Sequence, residues 1–569
     1  MRNNDLIEQV LNTWRVRDRI DLHLRDASST IWHKRNSLTV KGIPMRKISA
    51  TRCFFPVVLA LLISSQATRS QVLPKDLDAY VVKVQKELEV PGIALAIVKD
   101  GKVLLAKGYG VRKLGESARV DEHTLFGIAS NTKAFTATAI GLLVQEGKLE
   151  WDAPVVDYLP WFALSDPYVT REITIRDLLV HRSGLGLGAG DLLWWPPSTY
   201  NRRQIAERLR YIPLVKSFRS AYAYDNVLYT VAGEVIEAVS GQTWEQFVAS
   251  RILAKVGMND SNVRHSDATG GHNVATTHAR IDRTVRPIEP FTSDNTNPAG
   301  GINSSATDMA KWMIVQMDSG RVAGGTPLFS PRTTIQLWSL VTPIPIGAPP
   351  PELATLKANF NGYALGFGLR DYRGYKLLQH MGVLPGYVSK VAMIPELRLG
   401  VAVLTNQEAG EAYESIVYFV LDHFIGGGKT DWLGAFMKLH KRMAATGAAT
   451  EQQITGNRDS TSRPSLPLAS YVGSYHDAWY GNVTISLENG NLVIRFGHTP
   501  SLVGNLEHWQ YDTFVARWRD RELRADAFVT FDLNPDGSID QVKMKPVSPE
   551  TDFSFDFQDL LLKPEKRKQ

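Results

Sequence analysis

Cysteine is almost missing from this 569-residue chain, and its near absence excludes several kinds of chemistry. The one cysteine, Cys53, lies in a basic and apolar leader. The chain after the leader therefore has no disulfide, no cysteine nucleophile and no thiolate metal site. The H-E-x-x-H pair of zinc-binding histidines and the G-x-S-x-G turn of α/β-hydrolases are missing as well. We therefore expect no metal site.

An excess of basic charge is also missing from most of the chain, although the pI is ≈ 9.0. Residues 1–70 contain 12 Lys and Arg against 5 Asp and Glu, whereas the remaining residues contain 52 and 53. Nucleic-acid binding requires clustered positive charge, so we expect no nucleic-acid partner. The glycine-rich stretch at 423–432 is not a phosphate-binding loop, because its required first glycine falls on His423 and a predicted helix precedes it.

The leader contains a pattern typical of a secretory signal peptide that starts at Met45. A basic segment precedes about ten apolar residues, Phe54 to Ile63, and small residues then precede a cleavage site after Ala67. This apolar run is shorter than the ~20 residues of a spanning helix. We expect 1–44 to be an upstream extension and 45–67 a signal peptide. The mature protein would be secreted or periplasmic, with no stable membrane span; the alternative is a signal anchor.

Three regions follow the leader. Residues 72–430 begin with a predicted helix and a hairpin at Asp100-Gly101, and they end in strand-like runs after a long helical stretch. This order predicts an α+β domain in which both chain ends share one sheet. Residues 444–467 are polar and are predicted to form a linker. Residues 468–569 contain short alternating strands with turn signals, which predict a small antiparallel barrel or sandwich.

The segment FGIASNTKAFTATAIGLLVQEG, residues 126–147, combines a serine and a lysine at the start of a predicted helix. Ser130 and Lys133 are three positions apart, so both lie on one helix face and the amine can reach the hydroxyl. A buried amine loses its proton readily and can activate a serine. S-x-x-K alone is more often a capped helix with a solvated lysine. Here the helix is apolar on all sides, which indicates burial.

Two further motifs follow in order, Y-D-N at 224–226 and H-M-G at 380–382. With S-x-x-K they resemble the motifs of the serine β-lactamase and penicillin-binding-protein superfamily. The Y-x-N form and the flanking residues are similar to class C β-lactamase-related serine hydrolases, which include esterases, D-aminopeptidases and DD-carboxypeptidases. The resemblance covers about residues 85–425.

This resemblance implies a fold and a set of roles. The expected fold is an antiparallel sheet flanked by helices, with an all-helical subdomain and then a small lipocalin-like antiparallel β-barrel. Ser130 would attack a carbonyl and become acylated, Lys133 would assist its deprotonation, and Tyr224 would relay protons. The backbone N–H groups of Ser130 and Val383 would form the oxyanion hole. The implied substrate-binding and oxyanion positions are Asn226, His380, Gly382 and Val383.

One motif departs from efficient β-lactamases, which carry Lys-Thr-Gly where this chain has H-M-G. Methionine has no hydroxyl to donate and histidine is only partly charged at neutral pH, so the carboxylate beside a lactam should bind weakly. We therefore expect a serine hydrolase of esters, amides or peptides that uses no metal or organic cofactor. The alternatives are a β-lactamase and a non-catalytic cell-wall- or peptide-binding pseudoenzyme.

Three further features have roles that the sequence leaves open. Arg219 could compensate for the missing lysine, although a surface arginine is the simpler interpretation. Trp194 and Trp195 could line an acyl pocket or pack their loop onto the helical region. The sequence of the C-terminal unit contains no recognisable catalytic constellation; the unit could shield the mouth of the site or support homo-oligomerisation.

Overall fold

The computed structural model describes residues 72–268 and 271–565. The predicted upstream extension and signal peptide lie outside the described residues. Within the described ranges, no helix combines the length and the apolar character that crossing a membrane requires. Most of the described chain is organised around two eight-stranded antiparallel sheets, one in each of the two predicted domains.

The strands and helices are numbered here in chain order. The strands are β1 (Gly92–Lys99), β2 (Lys102–Gly110), β3 (Phe126–Gly127), β4 (His278–Ile281), β5 (Thr284–Pro287), β6 (Asn303–Ser304), β7 (Thr342–Pro343), β8 (Asn361–Tyr363), β9 (Gly368–Tyr372), β10 (Tyr375–Leu384), β11 (Tyr387–Ile394), β12 (Leu399–Thr405), β13 (Gly473–Asp477), β14 (Gly481–Glu488), β15 (Asn491–Phe496), β16 (Val503–Gln510), β17 (Thr513–Trp518), β18 (Ala527–Leu533), β19 (Ile539–Pro546) and β20 (Lys563–Pro564). The α-helices are α1 (Leu77–Glu87), α2 (Thr132–Gln145), α3 (Pro167–Glu172), α4 (Arg202–Arg208), α5 (Val227–Ser240), α6 (Trp244–Val248), α7 (Ala254–Val256), α8 (Asn297–Gly300), α9 (Ala306–Met317), α10 (Pro331–Leu337), α11 (Gly410–Ile425) and α12 (Trp432–Gly456).

The first sheet has the order β2-β1-β12-β11-β10-β9-β8-β7, with every neighbouring pair antiparallel. The two ends of the domain meet where β1 pairs with β12, which confirms the α+β prediction. Alternate residues of β1 enter different cores, since successive side chains of a strand point to opposite faces. Ile93 and Leu95 pack with α1 and α11, whereas Ala94 and Ala96 face α2 and α9.

The C-terminal sheet has the order β19-β18-β17-β16-β15-β14-β13-β20. Backbone hydrogen bonds of 2.8 and 3.1 Å between Val542 and Leu562 join its two ends, so the sheet forms a nearly closed antiparallel barrel. The predicted barrel is therefore confirmed. Aromatic side chains fill its interior, namely Tyr471, Tyr475, Phe496, Phe514, Trp518, Phe531 and Phe557.

The segment between the two sheets is largely helical. α12 continues to Gly456, so the first half of the predicted linker 444–467 is the end of a helix, and irregular chain follows. Alanine, glutamine and glutamate favour a helix even where no apolar face exists to be buried, which explains the difference. The domain boundaries themselves, 72–430 and 468–569, stay predictions.

Candidate active site

Ser130 lies in a tight turn at the head of a buried helix. The turn, Ala129–Asn131, connects β3 to α2, and Ala129 has a φ of 49°, in the left-handed region that non-glycine residues rarely adopt. Such strain is found where a turn must present one side chain accurately. α2 is buried from Thr132 to Leu143, as its sequence predicts. Lys133, in its first turn, is therefore enclosed completely.

The Lys133 amine has three close polar neighbours. Its Nζ lies 2.9 Å from Ser130 Oγ, 2.8 Å from Asn226 Oδ1 and 3.0 Å from the Ala299 carbonyl oxygen. A neutral amine has two N–H groups and one lone pair. Donation to Asn226 and Ala299 would use both N–H groups, and the lone pair would then face the Ser130 hydroxyl.

The charge state of Lys133 follows from its surroundings. Burial lowers the pKa of Lys133 to about 7, while the nearby carboxylates of Asp191 and Asp225 oppose part of that decrease. The pKa of each of these two buried aspartates is raised by burial, to about 7. Three groups of one buried cluster thus titrate near neutral pH, the range in which a general base is most effective.

Tyr224 approaches the same serine from the other side. Its hydroxyl donates a hydrogen bond of 2.8 Å to Ser130 Oγ. Burial raises the pKa of Tyr224 well above that of an ordinary tyrosine, so the ring carries a neutral phenol rather than a phenolate. Lys133 Nζ lies 4.9 Å from the centre of the Tyr224 ring, but the pKa of Tyr224 is still raised. This environment therefore favours the hydroxyl form of Tyr224.

Asn226 connects Lys133 to a buried carboxylate that sequence reasoning did not identify. Its Nδ2 donates to Asp191 Oδ2 over 2.8 Å, and Trp194 Nε1 donates to Asp191 Oδ1 over 2.9 Å. Ser554, from the C-terminal domain, donates to Asp191 Oδ2 over 2.9 Å. The only local signal was an aspartate before two tryptophans, which does not distinguish a site residue from a turn residue.

His380 is buried and neutral, and both of its ring nitrogens have hydrogen-bond partners. Its Nδ1 lies 2.7 Å from the Met381 carbonyl oxygen, so Nδ1 donates, and Nε2 then accepts from the Tyr363 hydroxyl over 2.7 Å. Burial, with a smaller contribution from the Lys133 charge, lowers the pKa of His380 to about 3. The histidine that replaces the β-lactamase lysine therefore offers no positive charge to a substrate.

Gly382 allows β10 to pass close to the turn Ala129–Asn131, which carries Ser130. A Cβ at this position would overlap the Ile128 carbonyl oxygen and would lie 3.0 Å from Ala129 Cβ. The pairing of β9 with β10 reaches only Gln379, so the edge of β10 beyond that residue faces the turn. Val383 lines the same cavity as Ser130. The structure thus brings the residues of all three predicted motifs into one place.

A cavity of about 180 Å³ opens beside Ser130. Trp194 and Trp195 line it and also pack against Phe291; their role in an acyl pocket stays a prediction. Arg219 is not part of the cavity: its guanidinium donates to both carboxylate oxygens of Asp177, which leaves it no compensating role. Sequence reasoning missed several other lining residues, including Arg370, Lys390, Asp552, Phe553 and Ser554.

This fold and this serine–lysine–tyrosine set define a class of serine hydrolase. The family described as Beta-lactamase matches residues 77–422, and a domain of unknown function, DUF3471, matches residues 457–564. The chain belongs to the beta-lactamase family, and its relatives mark it as a hydrolase of the serine β-lactamase and penicillin-binding-protein type. The predicted resemblance is therefore confirmed.

The individual relatives and solved structures that resemble this chain have low sequence identity to it. The unguisins hydrolase ungD of Aspergillus violaceofuscus is 28% identical over 480 residues, which cover 79% of this chain and 83% of that relative. Penicillin-binding protein 4 of Amycolatopsis lactamdurans is 27% identical over 333 residues, which cover 57% of this chain and 82% of that relative. The octameric penicillin-binding protein homologue from Pyrococcus abyssi has a TM-score of 0.53 at 22% identity, over 86% of this chain and 99% of that one. Secretion and homo-oligomerisation of this chain stay predictions.

Proposed function

We propose that the protein hydrolyses an amide, peptide or ester bond through a covalent acyl-enzyme on Ser130. The observation that carries this proposal is the position of Ser130 Oγ, 2.9 Å from a buried amine and 2.8 Å from a neutral phenol. A serine needs an adjacent base to become a nucleophile and a proton donor to release the leaving group. Both groups are in contact with it here, which a pseudoenzyme would not require.

Acylation would begin with Lys133 in its neutral form. Ser130 Oγ attacks the substrate carbonyl carbon as its proton passes to Lys133 Nζ, and a C–O bond forms. The negative charge on the carbonyl oxygen would be held by the backbone N–H groups of Ser130 and Val383. Collapse of this intermediate breaks the bond to the leaving group. Tyr224 would give its hydroxyl proton to that group and regain a proton that originates from Lys133.

Deacylation would use the same groups in reverse. A water molecule attacks the acyl carbon, its proton passes through Tyr224 and Lys133, and Ser130 leaves with its oxygen protonated again. Asn226 would hold the Lys133 amine in line throughout, because its Oδ1 accepts from Nζ over 2.8 Å. No metal or organic cofactor takes part in this proposed sequence.

The surroundings of the H-M-G motif favour ester, amide or peptide substrates over β-lactams. His380 is neutral and both of its ring nitrogens are engaged, and Met381 has no hydroxyl, so the usual carboxylate-binding pair is missing. A relative that matches 79% of this chain is named as a hydrolase of unguisins. We propose that the substrate is an ester, amide or peptide whose recognition does not depend on a carboxylate at this motif.

Active-site labelling with a fluorophosphonate probe tests the nucleophile. We expect the full-length wild type and Ser339→Ala, an exposed serine, to be labelled, and Ser130→Ala and Lys133→Ala to lose the label. An unlabelled wild type, or labelled Ser130→Ala, would contradict the proposal. Parallel kinetics on p-nitrophenyl butyrate, nitrocefin and D-amino-acid p-nitroanilides test the substrate class. Nitrocefin turnover far above the other two would instead establish a β-lactamase.

A further inference from the structure

A segment of the C-terminal domain, residues 552–556, reaches the active site of the hydrolase domain. Ser554 Oγ donates to Asp191 Oδ2 over 2.9 Å. Asp556 accepts from two backbone amides on either side of Asp191, from Gly190 over 2.7 Å and from Leu192 over 3.1 Å. Three hydrogen bonds between this short segment and the loop 190–192 thus fix the position and the orientation of the buried Asp191 carboxylate.

The packing around this segment is close. Phe553 meets the ring of Tyr224 edge-on, with ring centres 6.2 Å apart. Gly188 lies beneath Phe553 with a φ of 68°, and a Cβ there would come within 2.5 Å of the phenyl ring. Only glycine permits both that backbone conformation and that approach. The loop that carries Asp191 is therefore shaped to receive the C-terminal segment.

The carboxylate in turn decides which way the Asn226 amide points. A carboxylate only accepts hydrogen bonds when ionised, so the Asn226 Nδ2 must face Asp191 and the Oδ1 must face Lys133. The opposite orientation would turn the Asn226 N–H groups towards the Lys133 amine. One Lys133 N–H would then have no acceptor, and the Lys133 lone pair that faces Ser130 would be disturbed. Ser554, Asp191, Asn226 and Lys133 therefore form a continuous chain of hydrogen bonds to the nucleophile.

We propose that the C-terminal domain completes the catalytic machinery, with Ser554 and Asp556 as positioning residues that hold Asp191 and thereby orient Asn226 and Lys133. This inference rests on the proposed function, because it requires Ser130 to be activated by Lys133. It gives a role to a domain whose family has no known function. The role does not require the domain to bind a substrate or to contribute a reacting group.

The test measures fluorophosphonate labelling of full-length Ser554→Ala, separated into the binding constant of the probe and the rate constant of the covalent step. We expect the covalent rate to decrease about tenfold or more, the scale of a lost hydrogen bond to a charged group, with binding almost unchanged. Ser554→Thr, which keeps the hydroxyl, should recover most of the rate. Ser501→Ala is the matched control, because within the described chain that buried hydroxyl has no hydrogen-bond partner.

The pH profile of the covalent step separates positioning from a general loss of structure. Without the Ser554 donor, ionised Asp191 is less stable and supports less charge on Lys133, so the profile should move to lower pH. The other titratable groups around Lys133 and Asp191 are unchanged in this variant, namely Asp225, Asp556, His181, His380, Tyr224 and Tyr229. Asp556→Asn should lower the covalent rate as well, because it replaces one acceptor with a donor that faces a backbone N–H.

Two results would overturn the inference. The first is a labelled wild type whose Ser554→Ala variant reacts at the same rate and with the same pH profile. The second is a decrease in rate that Ser554→Thr does not recover and that a lower melting temperature accompanies. A wild type that is not labelled at all would contradict the proposed function instead, so the two failures are distinguishable.

Discussion

At the scale of single residues, the charge state of Lys133 sets the pH dependence of the proposed chemistry. Burial lowers the pKa of this amine to about 7, and only the neutral form can take the proton of Ser130. The rate of acylation should therefore increase as the pH rises through about 7 and then reach a plateau. Because the pKa values of Asp191 and Asp225 fall in the same range, the midpoint belongs to the cluster and not to one group.

Asp225→Asn should move that midpoint to lower pH. The Asp225 carboxylate favours the charged form of Lys133, so removing its negative charge lowers the pKa of the amine further. The substitution is mild, because Oδ1 still accepts from the Leu228 amide and Oδ2 has no hydrogen-bond partner among the described residues. The pH profile of fluorophosphonate labelling measures the shift. A midpoint that stays in place or rises would show that Asp225 does not act on Lys133.

The sequence indicated the proposed reacting residues but not the residues that contact them. Ser130 and Lys133 are three positions apart, so helix geometry alone relates them. Asn226 and Asp191 are 35 positions apart, and Ser554 and Asp191 are 363 apart. Contacts between residues so far apart in the sequence leave no periodic pattern. Residue type alone also does not distinguish a buried aspartate from one in an exposed turn. The supporting carboxylate therefore required the folded structure.

At the scale of elements, β10 and the turn Ala129–Asn131 approach each other so closely that a side chain at Gly382 cannot fit. Gly382→Ala should lower acylation by about 100-fold or more, since its Cβ would displace the turn that presents Ser130, and a small displacement of reacting groups is costly. Gly456→Ala, at the end of α12, is the control, because a Cβ there meets nothing within 4 Å. Near-wild-type labelling of Gly382→Ala would contradict this account of the turn.

The elements differ in how well their sequences predicted them. α2 is apolar on all sides, and that pattern correctly indicated a helix buried in the domain. The end of α12 has no apolar face, so its polar sequence suggested irregular chain although the residues favour a helix. Hydrophobic patterns report what an element packs against. They say less about an element that is exposed, because its backbone conformation then depends on weak intrinsic preferences.

At the scale of the whole molecule, the order of elements along the chain correctly predicted that β1 and β12 would share a sheet. The sequence did not predict how the barrel docks onto the hydrolase domain. That contact includes Tyr200 stacked on His498 and the bidentate pair of Arg524 with Glu408, at 2.7 and 2.8 Å. All four residue types are also common on surfaces that contact only solvent, so the residue types alone do not indicate an interface.

The Arg524–Glu408 pair ties the barrel to the turn between β10 and β11. Glu408 Oε1 also accepts from the Gly386 amide in that turn over 3.1 Å, so the pair fixes the end of the strand that carries Val383. The side chains of Arg524 and Glu408 are only 21% and 12% exposed. Removal of one partner from such a pair leaves the other charge poorly solvated, which is a large cost compared with that of a surface pair.

Arg524→Ala should therefore lower the free energy of unfolding by about 3 kcal/mol. Arg519→Ala is the matched control: its partner Glu488 lies in the same barrel, the two side chains are 50% and 36% exposed, and the expected loss is about 0.5 kcal/mol or less. Chemical denaturation of both full-length variants measures the difference. The double variant Arg524→Leu with Glu408→Leu should recover part of the loss, because no unpaired charge remains. Equal effects of Arg524→Ala and Arg519→Ala would mean that the barrel docks without help from this pair.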